Sequence, residues 1–159
     1  MTPSDDLRDL YQDLVLDHSR TPRNFRTLEN ANRHAEGDNP LCGDRVALFL
    51  RLGDDGRIED VAFQGQGCAI STASSSILTT LIKGKTPEDA EQLVRYVQAK
   101  CSTRPGAPEP SPPFALSSEE ATRLEALAGV RAYPMRVKCA TLAWHALRRA
   151  LAEKVGPSA

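Results

Sequence analysis

Three cysteines, Cys42, Cys68 and Cys139, and one acid, Asp44, are spread along most of the chain, yet each stands where a metal ligand would. A fold that gathers them at one point must bring a loop, a strand-to-helix junction and a late helix together. The segments read Asn39-Pro-Leu-Cys42-Gly-Asp44, Gly65-Gln-Gly67-Cys68-Ala-Ile-Ser71 and Arg136-Val-Lys-Cys139-Ala-Thr. Three thiolates and a carboxylate make a four-ligand set that closes around Zn²⁺ or holds iron and sulfide. Structural zinc sites ordinarily use cysteine and histidine alone, so the carboxylate predicts a centre that can give up a ligand. Pro40 fixes its own backbone, and Gly43 permits a turn that brings Asp44 beside Cys42. Cys68 and Cys139 are expected at helix N-termini, where the dipole and exposed N–H groups favour thiolate. The alternative, ordinary buried cysteines, suits a lone cysteine better than three in such contexts.

The hydrophobic period supplies the elements around these residues. Ser4, Asp5 and Asp6 open a helix whose Leu7, Leu10, Tyr11, Leu14, Val15 and His18 recur at helical spacing, and Thr21-Pro22 stops it. Residues 24–39 are polar and aperiodic and read as a connector or irregular arm. From Arg45 the period becomes two: Val46, Leu48, Leu50 and Leu52 alternate with Ala47, Phe49 and Arg51. Asp54-Asp55-Gly56 turns the chain, and Ile58 to Phe63 returns as a second strand. Gly65-Gln-Gly67 then leads into a helix carrying Ile70, Ala73, Ile77, Leu78, Leu81 and Ile82, with Gly84 at its end. Thr86-Pro87 starts another, with Cys101 on its apolar side. Residues 102–113 hold five prolines and one glycine, a stiff linker. Ser117 to Glu120 is a capping box for a helix ended by Gly129, and a last helix is expected from near Cys139 to about Val155.

This order, one helix, an antiparallel sheet and then several helices, reads as α+β. A length of 159 residues fits one domain, 1–159, with a proline-rich linker or insertion at about 102–116. Twenty basic against 21 acidic residues give no electrostatic footprint for nucleic acid or a membrane surface. No apolar run approaches the roughly 18 residues of a membrane span. The opening, Met1-Thr-Pro-Ser-Asp-Asp, is acidic and polar where a secretory leader is basic and then apolar. These features predict a cytoplasmic protein, in which thiols stay reduced and serve metal or sulfur chemistry rather than disulfides.

Other residues read as structural. Cys101 fills a position that a small hydrophobe would take. Ser71, Ser74, Ser75 and Ser76 lie inside a helical pattern with no histidine near in sequence, so they read as small residues allowing close packing rather than as nucleophiles. Gly65-x-Gly67 is a weak phosphate-loop signal without a following Lys-Ser/Thr. His145 reads as surface or core packing, and His18 and His34 have no partner that sequence names.

Taken together, these motifs resemble the SufU branch of the IscU/NifU family of iron–sulfur assembly proteins. The stretches that carry the resemblance are Asp17-His18-Ser-Arg-Thr-Pro22-Arg-Asn24, the three cysteine segments, Ala73-Ser-Ser-Ser76 and Leu142-Ala-Trp144. The resemblance implies a SufE/IscU-like fold, about three antiparallel strands packed against several helices, and the ligand set Cys42, Asp44, Cys68 and Cys139. Two departures point to the SufU branch. IscU-type scaffolds have a histidine before the third cysteine, where this chain has Lys138, and a Leu-Pro-Pro-Val-Lys chaperone-docking segment, where it reads Ala132-Tyr-Pro-Met-Arg136. The stretch between the second and third cysteines is also longer, as in SufU. The implied activity is a sulfurtransferase-like relay rather than an independent enzyme. Zn²⁺ would be the cofactor, and Cys42 would accept persulfide sulfur from a SufS-type cysteine desulfurase for delivery to downstream Fe–S assembly proteins. Arg136 and Lys138 are expected to offset the negative charge of the ligands. The same ligands could instead carry a transient Fe–S cluster on a scaffold, or a structural zinc in an interaction module, which would unfold when stripped of metal.

Overall fold

The computed structural model describes residues 3–40, 43–104 and 106–152, with side chains from Tyr11 onward in the first helix. Among these, α1 spans Pro3–Arg20, and strands β1 (Arg33–Asn39), β2 (Asp44–Leu52) and β3 (Ile58–Gln66) follow. Then come α2 (Ala69–Ile82), α3 (Pro87–Ser102), α4 (Ser118–Ala128), a short 3₁₀ turn at Gly129–Ala132, and α5 (Pro134–Ala152). The strands form one antiparallel sheet in the order β1-β2-β3. This is the α+β architecture expected from the sequence.

The alternation in β2 decides which sheet face is inside. Val46, Leu48 and Leu50 are buried, and across the β2–β3 ladder Leu48 meets Phe63 and Leu50 meets Val61 on the same face. Helix α5 packs over β1 and β2, α2 over β3, and α3 lies against α5. Ile77, Leu78, Leu81, Trp144 and Leu147 complete the core. No helix among the described residues is long and apolar enough to cross a membrane.

The arm expected over residues 24–39 is partly a strand. Seven of its residues, Arg33–Asn39, pair with β2, from Arg33 opposite Leu50 to Asn39 opposite Asp44. The sequence Arg-His-Ala-Glu-Gly-Asp-Asn has little strand preference of its own, so the neighbouring β2 and the covering α5 impose the conformation. Gly37 matters to this contact, since a Cβ there would come within 3.2 Å of Leu142 Cδ1 on α5. Earlier in the same arm, Asn24 takes a left-handed φ of 62°, and Phe25 bridges to Phe63 at the edge of β3.

Helix α1 is fastened to α2 through His18, which is 3% exposed. Its Nδ1 lies 2.7 Å from Ser76 Oγ, and that oxygen accepts the Arg23 backbone N–H at 2.8 Å. Burial, reinforced by the Arg23 and Arg123 guanidiniums and opposed by Asp17, lowers the His18 pKa to about 4. Because the folded value lies below the free value of 6.5, the unfolded chain binds the proton more readily. Stability contributed by neutral His18 is therefore present above pH ~6.5 and lost as pH falls toward about 4. Urea unfolding across that window should show the loss, and His18→Gln should flatten it; a wild-type stability curve unchanged by that substitution would assign the pH dependence elsewhere.

The proline-rich stretch is held down by charge. Glu109 receives Lys100 Nζ at 3.4 Å and Arg131 Nη1 at 2.8 Å, and Lys100 also pairs with Glu125. Burial opposes the Lys100 charge, but the Glu125 hydrogen bond and the surrounding anions keep its pKa above the ordinary lysine value.

Candidate metal centre

Asp44 is the first residue of β2, Cys68 follows the end of β3, and Cys139 lies in α5. Sheet and helix packing bring a ligand atom from each to within 4.8 Å of the others. Two zinc-bound sulfurs, each at ~2.3 Å from the ion, stand about 3.8 Å apart in a tetrahedron, and the Cys68 sulfur already lies 3.7 Å from Asp44 Oδ2. Two sulfurs and a carboxylate oxygen at this spacing suit Zn²⁺ or iron. Asp44 is 1% exposed and Cys139 2%, while Cys68 is half-buried and gives the cluster its opening to solvent.

Local backbone chemistry fixes two of the three donors. Cys68 is the N-cap of α2, with φ −71° and ψ 167°, and its sulfur accepts the Ser71 N–H at 3.4 Å. The Cys68 N–H in turn donates to Asp44 Oδ1 at 2.9 Å, and the Cys68 thiol faces Asp44 Oδ2 at 3.7 Å. Asp44 is thus a buried carboxylate held by one residue of the strand-to-helix junction. A cation beside it would compensate its charge.

Cys42 lies outside the described residues. Next to it in sequence, Gly43 has φ +73° and its N–H donates to the Asn39 carbonyl at 2.8 Å. A Cβ at Gly43 would meet nothing within 4 Å, so glycine is required there by conformation and not by space.

One expectation is corrected. Cys139 does not open a helix, because α5 begins at Pro134, five residues earlier, and Cys139 sits in its second turn. Proline suits a first helical turn, since its φ is preset and its missing N–H would have been unpaired there. The favourable N-terminal dipole therefore acts on Cys68 but not on Cys139. Arg136 and Lys138 also lie within α5 rather than before it, and both are exposed.

Cys101 is a core residue, 1% exposed, and burial pushes its thiol up to about 11. The serines of α2 are buried as expected, but fold contacts supply what sequence distance concealed. Ser76 meets His18, and Ser74 Oγ accepts Trp144 Nε1 at 3.0 Å while donating to the Ala140 carbonyl. Both Ser76 and His18 are sealed from solvent, so their pairing is a tie between helices. Sequence reading did not foresee the Ser74–Trp144 tie, and its only local signal was a run of small residues. His145 is exposed and contacts Gln98, and His34 stacks on Phe49.

The model of the NifU-like N-terminal domain matches residues 10–140, which include all four candidate ligands. The chain belongs to this family. Its relatives bear two kinds of name. An iron–sulfur cluster assembly scaffold protein IscU from Streptococcus pyogenes serotype M1 is 39% identical over 145 residues, covering 91% of this chain and 84% of that protein. The zinc-dependent sulfurtransferase SufU of Bacillus subtilis (strain 168) is 37% identical over 147 residues, 92% of each chain. A crystal structure described as a putative iron–sulfur cluster assembly scaffold protein for the SUF system, from Fervidobacterium islandicum AW-1, superposes with a TM-score of 0.73. It is 32% identical and covers 91% of this chain and 98% of its own. The chain is thus a NifU-like domain of the iron–sulfur cluster assembly class, and its relatives carry both scaffold and sulfurtransferase names.

For this NifU-like domain, Asp44→Ala is expected to leave the fold largely intact while speeding zinc loss. The carboxylate is the hardest donor, and its removal opens a position without removing a thiolate. Wild-type zinc retention under chelator challenge would mean that Asp44 is not a ligand.

Proposed function

We propose that this chain is a zinc-dependent sulfur acceptor in the cytoplasm, taking persulfide sulfur from a SufS-type cysteine desulfurase and relaying it to Fe–S assembly partners. The observation that carries the proposal is the cluster itself, a buried carboxylate and two cysteine sulfurs within 4.8 Å of one another. Lys138, in place of the scaffold-type histidine, supports the sulfur-transfer reading over the scaffold one.

Cys42, Asp44, Cys68 and Cys139 would hold the zinc. When bound, the ion keeps coordinated thiols deprotonated at neutral pH. The remaining chemistry belongs to the chain. The Cys42 thiolate attacks the terminal sulfur of the donor's persulfide, and a new S–S bond forms at Cys42. The donor's own S–S bond breaks, its cysteine leaves as thiolate, and the terminal proton stays on the transferred sulfur. No external oxidant or reductant is needed.

Arg136 and Lys138 are the cations nearest in sequence to Cys139, and three thiolates with a carboxylate around Zn²⁺ carry a net charge of about −2. Arg136→Ala is expected to weaken stimulation of the desulfurase more than it lowers the melting temperature. Equal stimulation by variant and wild type would discard this role.

A cluster scaffold is the second reading, favoured by the IscU-named relative at 39% identity. Metal analysis and colour of the purified protein separate the two. A colourless protein with stoichiometric zinc supports sulfur transfer. A brown protein that hands an intact cluster to an apo-acceptor overturns it in favour of the scaffold.

A further inference from the structure

Gly67 directly precedes the cysteine that caps α2, and its φ lies outside the left-handed region. Backbone conformation therefore does not require glycine at this position. Space does. A Cβ built on Gly67 would lie 2.5 Å from Asp44 Oδ1, 2.9 Å from its Cγ and 3.1 Å from its Cβ. The absent side chain leaves a hollow of one methyl group, and the Asp44 carboxylate fills it.

We infer that Gly67 is a positioning residue for Asp44, its missing side chain being what lets the carboxylate lie against the Cys68 N–H and within reach of the Cys68 and Cys139 sulfurs. The inference rests on the reading of Asp44 as a metal ligand, and it assigns a role to a residue that offers no donor of its own.

Asp44 has little freedom to yield. It is 1% exposed, and rotating its carboxylate away from position 67 would break the 2.9 Å bond from the Cys68 N–H. Its Cβ, at 3.1 Å, is also a tight contact that must give by a few tenths of an ångström, so side-chain rotation alone does not fully relieve the crowding. The neighbouring Gly65 is different, because a Cβ there would strike the Arg45 backbone carbonyl and disturb the β2–β3 pairing itself. Within Gly65-Gln-Gly67, the first glycine serves the sheet and the second serves the carboxylate. This explains a motif that otherwise resembles a phosphate loop without the residues to complete it.

The consequence is specific to the oxygen ligand. Gly67→Ala leaves every donor atom in the sequence, yet it should act on the site as Asp44→Ala does. Wild type, Gly67→Ala, Asp44→Ala and the double variant would be titrated with Co²⁺, reading affinity and the visible absorption of the bound ion. Gly67→Ala is expected to lower Co²⁺ affinity about 10- to 100-fold, the usual range for losing support of a ligand. It should also alter the ligand-field bands while the sulfur charge-transfer bands persist. The double variant should bind no more weakly than Asp44→Ala alone. Wild-type affinity and spectrum in Gly67→Ala, or additive losses in the double variant, would overturn the inference.

A second readout needs no metal. In the metal-free protein, Gly67→Ala should lower the melting temperature clearly in the Asp44 background and less in the Asp44→Ala background, where the Oδ1 and Cγ contacts are gone. An equal drop in both would overturn the steric role, as would failure of the Asp44→Ala change to rescue a Gly67→Ala protein that does not fold. If wild type binds no Co²⁺, the metal reading fails, and the melting comparison still decides whether Gly67 makes room for Asp44.

Discussion

Trp144→Ala is expected to remove about 3–5 kcal/mol of stability, the range for deleting a large buried aromatic. A domain of this size holds only about 5–15 kcal/mol in total, so the variant should be marginal. Trp144 is fully buried in α5 and donates Nε1–H to Ser74 Oγ on α2 at 3.0 Å. Ser74 in turn donates its O–H to the carbonyl of Ala140, next to Cys139. The deletion thus opens a cavity and unties the helix capped by Cys68 from the helix containing Cys139. Metal affinity should fall with stability. Trp144→Phe keeps most of the bulk but loses the N–H donor and part of the ring, so it should cost less, about 1–3 kcal/mol. Urea unfolding followed by far-ultraviolet circular dichroism suits all three proteins, since this is the chain's one tryptophan. A loss under about 1 kcal/mol for Trp144→Ala would mean that the helix interface repacks without it.

Strong periodicity made most of the fold legible. The alternation from Val46 to Leu52, the Thr86-Pro87 start of α3 and the Ser117–Glu120 capping box are local signals, and each appears in the structure. β1 was not legible, because Arg33–Asn39 is a strand only by virtue of its neighbours. The start of α5 was missed because Pro134 reads as readily as a breaker as a first-turn residue. Gly129 does not stop the chain in a left-handed turn as a terminal glycine often does. Its φ is −56°, and a 3₁₀ turn carries on to Ala132. At the candidate centre, residue type and context named Asp44, Cys68 and Cys139, which the fold brings together. Their supports, the hollow at Gly67 and the Ser74–Trp144 bond, depend on contacts between distant segments and leave no pattern in one sequence.

Sulfur taken up from a desulfurase is expected on Cys42. The other two cysteines of the set are built into packed helices. Cys68 caps α2, and Cys139 is 2% exposed within α5. Presenting the Cys139 sulfur would disturb α5, and Cys68, although half-buried, would have to give up its cap on α2 to leave the metal. In sequence Cys42 falls between the end of β1 and the start of β2, outside every helix and two residues from Asp44. Cys101 is excluded by its burial and by a thiol pushed up to about 11, which leaves almost no thiolate near neutral pH. Incubation with desulfurase and cysteine, alkylation of persulfides and peptide mass spectrometry should place the added sulfur on Cys42. Cys42→Ser should reduce uptake to the level of the desulfurase alone. Label on Cys139 or Cys101 in preference to Cys42 would reassign the acceptor.

Desulfurase turnover measured with and without the zinc-loaded protein bears on sulfur acceptance as a whole. Sulfide or alanine release by a SufS-type enzyme should rise when the zinc-loaded chain is added. The rise should disappear when zinc is removed by chelation and return when zinc is restored. Turnover indifferent to the protein, or stimulated equally by its metal-free form, would mean that this NifU-like domain is not a zinc-dependent sulfur acceptor.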